Sequence, residues 1–404
     1  MQLSHREPAI RHAVMALSSL YEHFQHEPKL PLLMPTNLFA LRHYNAAIEK
    51  LLVNPDEAVV LVVCTIFLCI EFLQGNAQSA INHCRSGILI LNKACPSSAW
   101  ARICLLPMFS RLSIFPLFFG GTVSSFPCVA GLETNTPPRF SSIVDAKSSL
   151  DVLLAISIRF VRSCEDYRLG KFRCRAVPEV LRKQQGSLER SLDAWYDAFS
   201  QSRRYAHTRF EGDSFACCLL QVKLLVSQIW VNTAVERAEI AYDRHVDKFQ
   251  FIVDLASQVA LPESQALGQP GFIFDIGFTP LLYFVAMKCR RLSTRVEALS
   301  LMRSLGSGQE TLWNLETLFH VGRRLIEIEH EIQWENISAI IQQRISVDSQ
   351  VLPEESRVRD VSLDPNIVIR QDDQGGKKLW ALMHSIMWRP INDLVVQRKW
   401  IAIS

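Results

Sequence analysis

Residues 58–76 read AVVLVVCTIFLCIEFLQGN, and this stretch decides the fold class. From Ala58 to Ile70 it contains no charged residue, so a helix here would be apolar on every side and would lie at the centre of a core. The uncharged run is shorter than the roughly 20 residues that cross a bilayer as a helix, which favours a buried core helix. Gly75 and Asn76 predict the end of this helix and the cap of the next one.

Helical periodicity continues on both sides of this central helix. Upstream, apolar residues recur at helical spacing from Ile10 to Phe24, and a second helix starts near Asn37 and carries Leu41, Tyr44, Ile48, Leu51 and Leu52. Asn54–Pro55 predicts the start of the central helix, and Thr279–Pro280 predicts a cap further on. Further helical patterns cover about residues 141–168, 178–204, 213–235, 243–260, 292–304 and 309–345. Short connections between the first helices favour antiparallel helical hairpins.

The C-terminus has a different pattern. Val358, Val361 and Leu363 alternate with polar residues, as do Ile367 and Ile369. Asp364–Pro365–Asn366 separates the two runs, which predicts a small β-hairpin. The predicted fold is therefore an all-α, multi-helix domain over residues 1–345, followed by a C-terminal extension, residues 346–404, with the hairpin packed on the helices.

Composition excludes several classes of protein. Of the 404 residues, 49% are hydrophobic and 21% are charged, which excludes a disordered or collagen-like chain. The net charge of +3 gives no global case for nucleic-acid binding. The N-terminus shows no signal peptide, and the eleven cysteines include no pair at C-x2-C spacing. We therefore expect reduced thiols and no structural zinc site of finger, ribbon or cluster type.

Several partial motifs fail as catalytic or metal sites. His330–Glu331 begins like the zincin helix H-E-x-x-H, but Trp334 stands where the second ligand would be. Glu327 and His330 match one E-x-x-H element of a di-iron bundle, and no second element exists. We expect Glu327, Glu331 and Glu335, which are spaced along one helix face, to be a solvated acidic face.

Other fragments fail in the same way. The pair Asp372–Asp373 lacks the third acidic residue of an aspartate-rich magnesium motif, and Gly306–Ser307–Gly308 is not a nucleophile elbow. There is no P-loop and no dinucleotide-binding fingerprint. The sequence therefore predicts no catalytic, cofactor-binding or metal-ligating residue.

One local segment is basic. Between Met287 and Arg303, the basic residues Lys288, Arg290, Arg291, Arg295 and Arg303 are opposed only by Glu297. Such a face could contact nucleic acid or an acidic partner. A solvated helix pair near neutralising neighbours is the alternative that we favour.

Three stretches, taken together and in order, resemble a known family. They are EPAIRHAVMALSSLYE at 7–22; LRHYNAAI at 41–48 with CIEFLQGN at 69–76 and HCRSG at 83–87; and FTPLLYFVAMKCR at 278–290. The likeness continues through 295–301, through the helix at 324–329 and through the tail at 361–380. In these stretches the chain resembles the regulatory region of fungal zinc-cluster (six-cysteine) transcription factors.

The resemblance implies an all-α regulatory domain, a role in transcription regulation and location in the nucleus, with the cytoplasm as the alternative. It also implies that a binuclear zinc cluster would normally precede this region, yet the required spacing of C-x2-C-x6-C, occurring twice, is absent from the sequence. We therefore expect either a truncated gene model or a paralogue without the cluster. Zinc would be expected only in that N-terminal cluster, and no DNA-reading residue is carried over.

The partners expected on this basis are transcriptional co-regulators or full-length paralogues, with DNA contacted only indirectly and no membrane. A homodimer and a small-molecule effector are further expectations, because a large apolar interior can hold a ligand and interhelical grooves can take a helix. Two other classes remain as alternatives. One is an all-α enzyme of a biosynthetic pathway, and the other is a scaffold of helical hairpins.

Overall fold

A computed structural model describes residues 2–26, 37–53, 56–94, 100–119, 123–132, 135–205, 214–260, 271–343, 352–364, 366–371, 377–390 and 393–403. The chain divides into two compact units. Unit 1 comprises Met1–Ser163, Gly186–Gly212 and Gln269–Asp275. Unit 2 comprises Cys164–Gln185, Asp213–Gly268 and Ile276–Ser404. The predicted boundary between 345 and 346 stays a prediction.

The described residues are mostly α-helical, as the sequence predicts. The helices are α1 Gln2–Arg6, α2 Pro8–His26, α3 Leu38–Val53, α4 Glu57–Leu73, α5 Ala77–Ala94, α6 Leu106–Leu112, α7 Ile143–Arg168, α8 Glu179–Tyr205, α9 Ser214–Thr233, α10 Val246–Ser257, α11 Phe278–Lys288, α12 Leu292–Leu305, α13 Leu315–His330 and α14 Ile337–Gln343. The strands are β1 Phe272–Ile273, β2 Gln309–Glu310, β3 Trp313–Asn314, β4 Val358–Leu363, β5 Val368–Gln371, β6 Lys377–Arg389 and β7 Asp393–Ala402.

Helix α4 is the central helix of unit 1 and packs on both α2 and α5. Its N-cap is Asp56, whose carboxylate accepts from the amides of Ala58 and Val59. The predicted cap at Asn54–Pro55 lies outside the described residues. Gly75 ends the helix at φ 66°, a conformation that glycine adopts without strain. Asn76 then accepts from the amide of Ser79 in the first turn of α5, so the predicted junction is confirmed.

Helix α3 buries a different face from the one its large apolar residues suggest. Its buried side chains are Ala40 and Ala47, with Tyr44 half-buried between them. Leu41, Ile48 and Leu52 are exposed instead. Helix α2 packs on α3 and also buries alanines, and small side chains let two helices approach closely. Which face is buried is therefore decided by the fit to α2 and not by side-chain size.

The core of unit 2 is formed by α9 to α13. Among the described helices, Ser214–Thr233 alone is long and apolar enough to cross a membrane, and most of its side chains are buried inside the core. A core helix of a large domain has this same composition. The two shorter apolar runs that the sequence assigns to core helices, 58–70 and 103–119, also lie mostly buried.

The C-terminal part of unit 2 is a four-stranded antiparallel sheet, which is more than the predicted hairpin. Strands β4 and β5 occur as predicted, but they pair with β6 and not with each other, at Leu363↔Met383 and Val368↔Trp380. Strand β7 pairs along the other edge of β6. On β6, alternate residues from Leu379 to Met387 are buried, which is the period of a strand covered on one face. The prediction of a hairpin within residues 358–369 was therefore wrong.

Candidate functional site

The basic residues of segment 287–303 lie largely inside unit 2. The side chains of Lys288, Arg290 and Arg295 are only 5%, 4% and 0% exposed. Lys288 ends α11, Arg290 lies in the short connection, and Arg295 is in the first turns of α12. Buried cations need carboxylate partners, because removing a charge from water is costly. The predicted solvated helix pair was therefore wrong for these three residues, although the neutralising neighbours exist.

Glu239 is the first of two buried carboxylates that neutralise them. Its side chain is fully buried and accepts from Lys288 Nζ at 2.8 Å, Arg168 Nη2 at 3.1 Å and Arg290 Nη2 at 3.2 Å. Burial alone would raise the pKa of Glu239. Attraction to Lys288, Arg168 and Arg290 outweighs burial and leaves this pKa below its ordinary value.

Glu329 is the second buried carboxylate. It lies 2.6 Å from Arg295 Nη1 and 3.5 Å from Arg290 Nη1, and its other oxygen accepts from the amide of Val358 at 2.6 Å. Arg290 therefore bridges the two carboxylates, and Glu329 ties α13 to the start of β4. We call these six residues the buried charge network: Arg168, Glu239, Lys288, Arg290, Arg295 and Glu329.

A second layer of ion pairs joins this network to the segment that leads into the sheet. Arg357 makes a two-pronged pair with Asp243, at 2.7 Å for each oxygen, and its side chain is fully buried. Glu354 pairs with Arg359 at 2.8 Å and accepts from the amide of Glu239 at 2.9 Å. The network thus fastens Arg168, which lies in the part of α7 that belongs to unit 2, to α11, α12, α13 and β4.

Glu310 is a buried carboxylate of another kind. Its oxygens accept from the amides of Gly277, Thr279 and Ser307 and from the Thr279 hydroxyl. Burial raises the pKa of Glu310, and these hydrogen bonds oppose the rise. The first turn of α11 is therefore capped by a residue distant in sequence, where the sequence predicts a local cap at Thr279–Pro280.

The acidic face on α13 is only partly solvated. Glu327 is 10% exposed and pairs with Arg323 and Arg324, whereas Glu335 is 69% exposed and pairs with Arg323. Glu331 is exposed and follows the end of the helix in the left-handed region. The spacing of Glu327, Glu331 and Glu335 predicts this face, whereas Glu239 and Glu329 are not among the predicted residues. The burial of Glu329 could have been predicted from its spacing, because it lies three and four residues beyond the buried Ile326 and Leu325 and therefore on the same helix face.

Unit 1 holds a smaller polar cluster made by the resembling stretches. The Tyr44 hydroxyl on α3 donates to Glu71 Oε1 on α4 at 3.0 Å and lies 2.9 Å from His83 Nε2 on α5. Phe67 stacks on the Tyr44 ring, with ring centroids 4.1 Å apart. Burial, followed by the charge of Glu71, raises the pKa of Tyr44. The cluster joins three helices and holds a neutral phenol against a carboxylate.

We expect the change Tyr44→Phe to lower the free energy of unfolding by about 1–3 kcal/mol, because it leaves a buried acceptor without its donor. Glu71 Oε2 already lacks a hydrogen-bond partner among the described residues. Urea denaturation followed by circular dichroism measures the loss. The matched control is Tyr196→Phe at a ring that is 41% exposed, where we expect less than about 0.5 kcal/mol. Equal effects of the two changes would contradict this role for Tyr44.

The described residues hold no group of three or more histidine, cysteine or carboxylate side chains that could bind a metal ion. No disulfide joins the cysteines in the described part of the chain. The pair Asp372–Asp373 lies outside the described residues. The structure contains two internal polar assemblies that fasten helices together: the buried charge network in unit 2 and the cluster of Tyr44, Glu71 and His83 in unit 1.

Comparison with known proteins gives one distant likeness. No family model matches the chain, and no solved structure matches it. The aspercryptin biosynthesis cluster-specific transcription regulator atnN of Emericella nidulans is 24% identical over 283 residues, which cover 63% of this chain and 45% of the relative. The chain therefore spans less than half the length of this curated relative. The likeness supports the expectation of a fungal transcription factor.

Proposed function

We propose that the chain is the non-catalytic regulatory region of a fungal, pathway-specific transcription regulator of the zinc-cluster family. It would act in the nucleus through contacts with co-regulators or full-length paralogues, or through a small-molecule effector. The observation that carries the proposal is the likeness to a cluster-specific transcription regulator. The stretches that resemble the regulatory region of fungal zinc-cluster transcription factors are its second support.

The buried charges support an indirect relation to DNA. Phosphate contacts need exposed Lys and Arg side chains, and in this chain Lys288, Arg290 and Arg295 are buried against Glu239 and Glu329. Arg303 is exposed, but it pairs with Glu316 at 2.8 Å. Three of the five cations of this segment therefore stabilise the protein interior and are not available to phosphate groups. Sequence-specific DNA contact would belong to a separate module or to a partner.

A tethering assay tests this proposal. The full chain is fused to a heterologous DNA-binding domain in a fungal host with a reporter gene, and the DNA-binding domain alone is the control. We expect a several-fold change of reporter expression, up or down. In gel-shift assays the chain alone should show no sequence-specific binding, with or without zinc. Tight zinc-dependent binding to one site, or a fusion without effect on the reporter, would contradict the proposal.

A further inference from the structure

Helix α3 exposes a regular apolar stripe. Leu38, Leu41, Ile48 and Leu52 are 62%, 48%, 38% and 78% exposed. Asn45, which is also exposed, completes the alternating spacing of three and four residues between them. This is the a/d pattern of a coiled-coil seam, with a polar residue at one a position. We call these five residues the α3 stripe: Leu38, Leu41, Asn45, Ile48 and Leu52.

The helix that carries the stripe is held in place by its other side. Ala40 and Ala47 are buried within unit 1, and Tyr44 is bonded to Glu71 and His83. His12 Nδ1 and His43 Nδ1, 2.7 Å apart, join α2 to α3. An isolated helix of this length is marginal in water, but here it is already ordered. Docking on the stripe therefore needs little further loss of conformational entropy.

Two charged residues beside the stripe indicate which partner fits it. Arg42 and Glu49 are exposed and lie on the same flank, seven residues apart, at e positions of the heptad. In an antiparallel pair of helices, e positions face e positions of the other helix. A second α3 placed antiparallel therefore brings Arg42 of each copy to Glu49 of the other, twice. A parallel arrangement makes neither pair.

We propose that a second copy of this chain docks on the α3 stripe, antiparallel and two-fold symmetric, to form a homodimer. The leucines and Ile48 form the seam, and the two Arg42–Glu49 pairs select the direction. The stripe is about two heptads long and contains a polar residue, so the interface is small and the dimer weak, with a dissociation constant in the range of roughly micromolar. This inference holds whatever regulatory role the chain has.

Sedimentation equilibrium of the full chain between about 1 and 200 µM tests the dimer. We expect a monomer–dimer equilibrium that Ile48→Lys abolishes over this range. Asn45→Leu, which makes the seam wholly apolar, should tighten it by about tenfold. The control is Val144→Lys on α7, at a β-branched residue outside the stripe that is 65% exposed, against 38% for Ile48, and it should leave the equilibrium unchanged. Thermal unfolding of every variant at 1 µM checks that the fold is kept.

Charge reversal tests the direction of pairing. Arg42→Glu and Glu49→Arg should each weaken the dimer by about three- to tenfold, and the double variant should restore it. Loss of folding cannot produce such a restoration. A wild-type chain that stays monomeric at 200 µM, a dimer that survives Ile48→Lys, or single reversals without effect would each overturn the proposal. If the wild-type chain stays monomeric, the stripe would instead be the docking site of a partner with a different sequence.

Discussion

Replacing Glu239 with glutamine is expected to lower the free energy of unfolding by about 3–5 kcal/mol, the cost of leaving buried charges without a partner. Glutamine keeps the size and shape of the side chain but removes the charge that Lys288, Arg168 and Arg290 share. The cations would then stay buried without compensation, or would draw water into the core. Total stability of a domain is about 5–15 kcal/mol, so this single change should remove a large share of it.

The matched control for this prediction is Glu316→Gln in the same unit. Glu316 pairs with Arg303 at 2.8 Å, and the two side chains are 49% and 48% exposed. Exposed pairs contribute roughly 0–1 kcal/mol. Urea denaturation of both variants in the full chain, followed by circular dichroism, measures the difference. If the two changes cost the same, the buried charge network does not hold unit 2 together.

The second large effect is a loss of stability in mild acid, which we expect to total about 2–4 kcal/mol between pH 7 and pH 5. Burial, together with Arg295 and Arg290, lowers the pKa of His330 to about 3. Burial, together with Arg244 and Lys248, lowers the pKa of His245 to about 4. In the unfolded chain both rings titrate near 6.5. Below that pH the unfolded state therefore binds protons that the folded state cannot accept.

The sign of this effect follows from linkage. Stability from the two neutral rings is fully present above about pH 6.5 and is lost as the pH falls toward their folded values. Each ring contributes about 1–2 kcal/mol by pH 5 after allowance for its partial exposure. The pKa of Glu239 is lowered in the folded state, so this residue adds a further loss of stability when the pH falls below the ordinary pKa of a glutamate. Glu310 opposes this loss of stability. Its pKa is raised in the folded state, so as the pH falls the folded state takes up a proton more readily than the unfolded state does.

Denaturation curves at pH 7, 6 and 5 measure this loss. The double variant His245→Gln/His330→Gln should lose about half as much stability over this interval, or less. The same change at the exposed His26, His26→Gln, is measured in parallel as the control. An identical slope in the wild type and the double variant would show that other groups control the acid response.

Several residues that carry the family resemblance meet in the interior. Tyr44, Glu71 and His83 come from three resembling segments and meet in one cluster of unit 1. Lys288 and Arg290 come from another segment and meet Glu239 in unit 2. Part of the likeness therefore lies in residues that hold each unit together. Leu41, Asn45 and Ile48 of the α3 stripe also lie in a resembling stretch, 41–48, but they are exposed and are therefore better candidates for contacts with partners.

Local sequence was a good guide where local forces decide the structure. The apolar run before Glu71 predicts a core helix, and Gly75–Asn76 predicts the junction between two helices, because a left-handed glycine and an asparagine cap act over a few residues. The alternation of apolar and polar residues at 358–363 likewise predicts a strand, because this alternation is also a local property of the chain. Strand pairing was not predictable in this way, since β4 and β5 are joined through β6, which lies further along the chain.

The sequence by itself therefore determined a mostly helical, apolar chain with strands near its end and a likeness to fungal transcription regulators. Only the tertiary structure decided that Lys288, Arg290 and Arg295 are interior residues, and that α3 buries alanines and exposes leucines. The physical reason is that helical period and caps are local properties of the chain. The environment of a charge or a methyl group depends on which distant segment packs against it, as Glu239 does against Lys288.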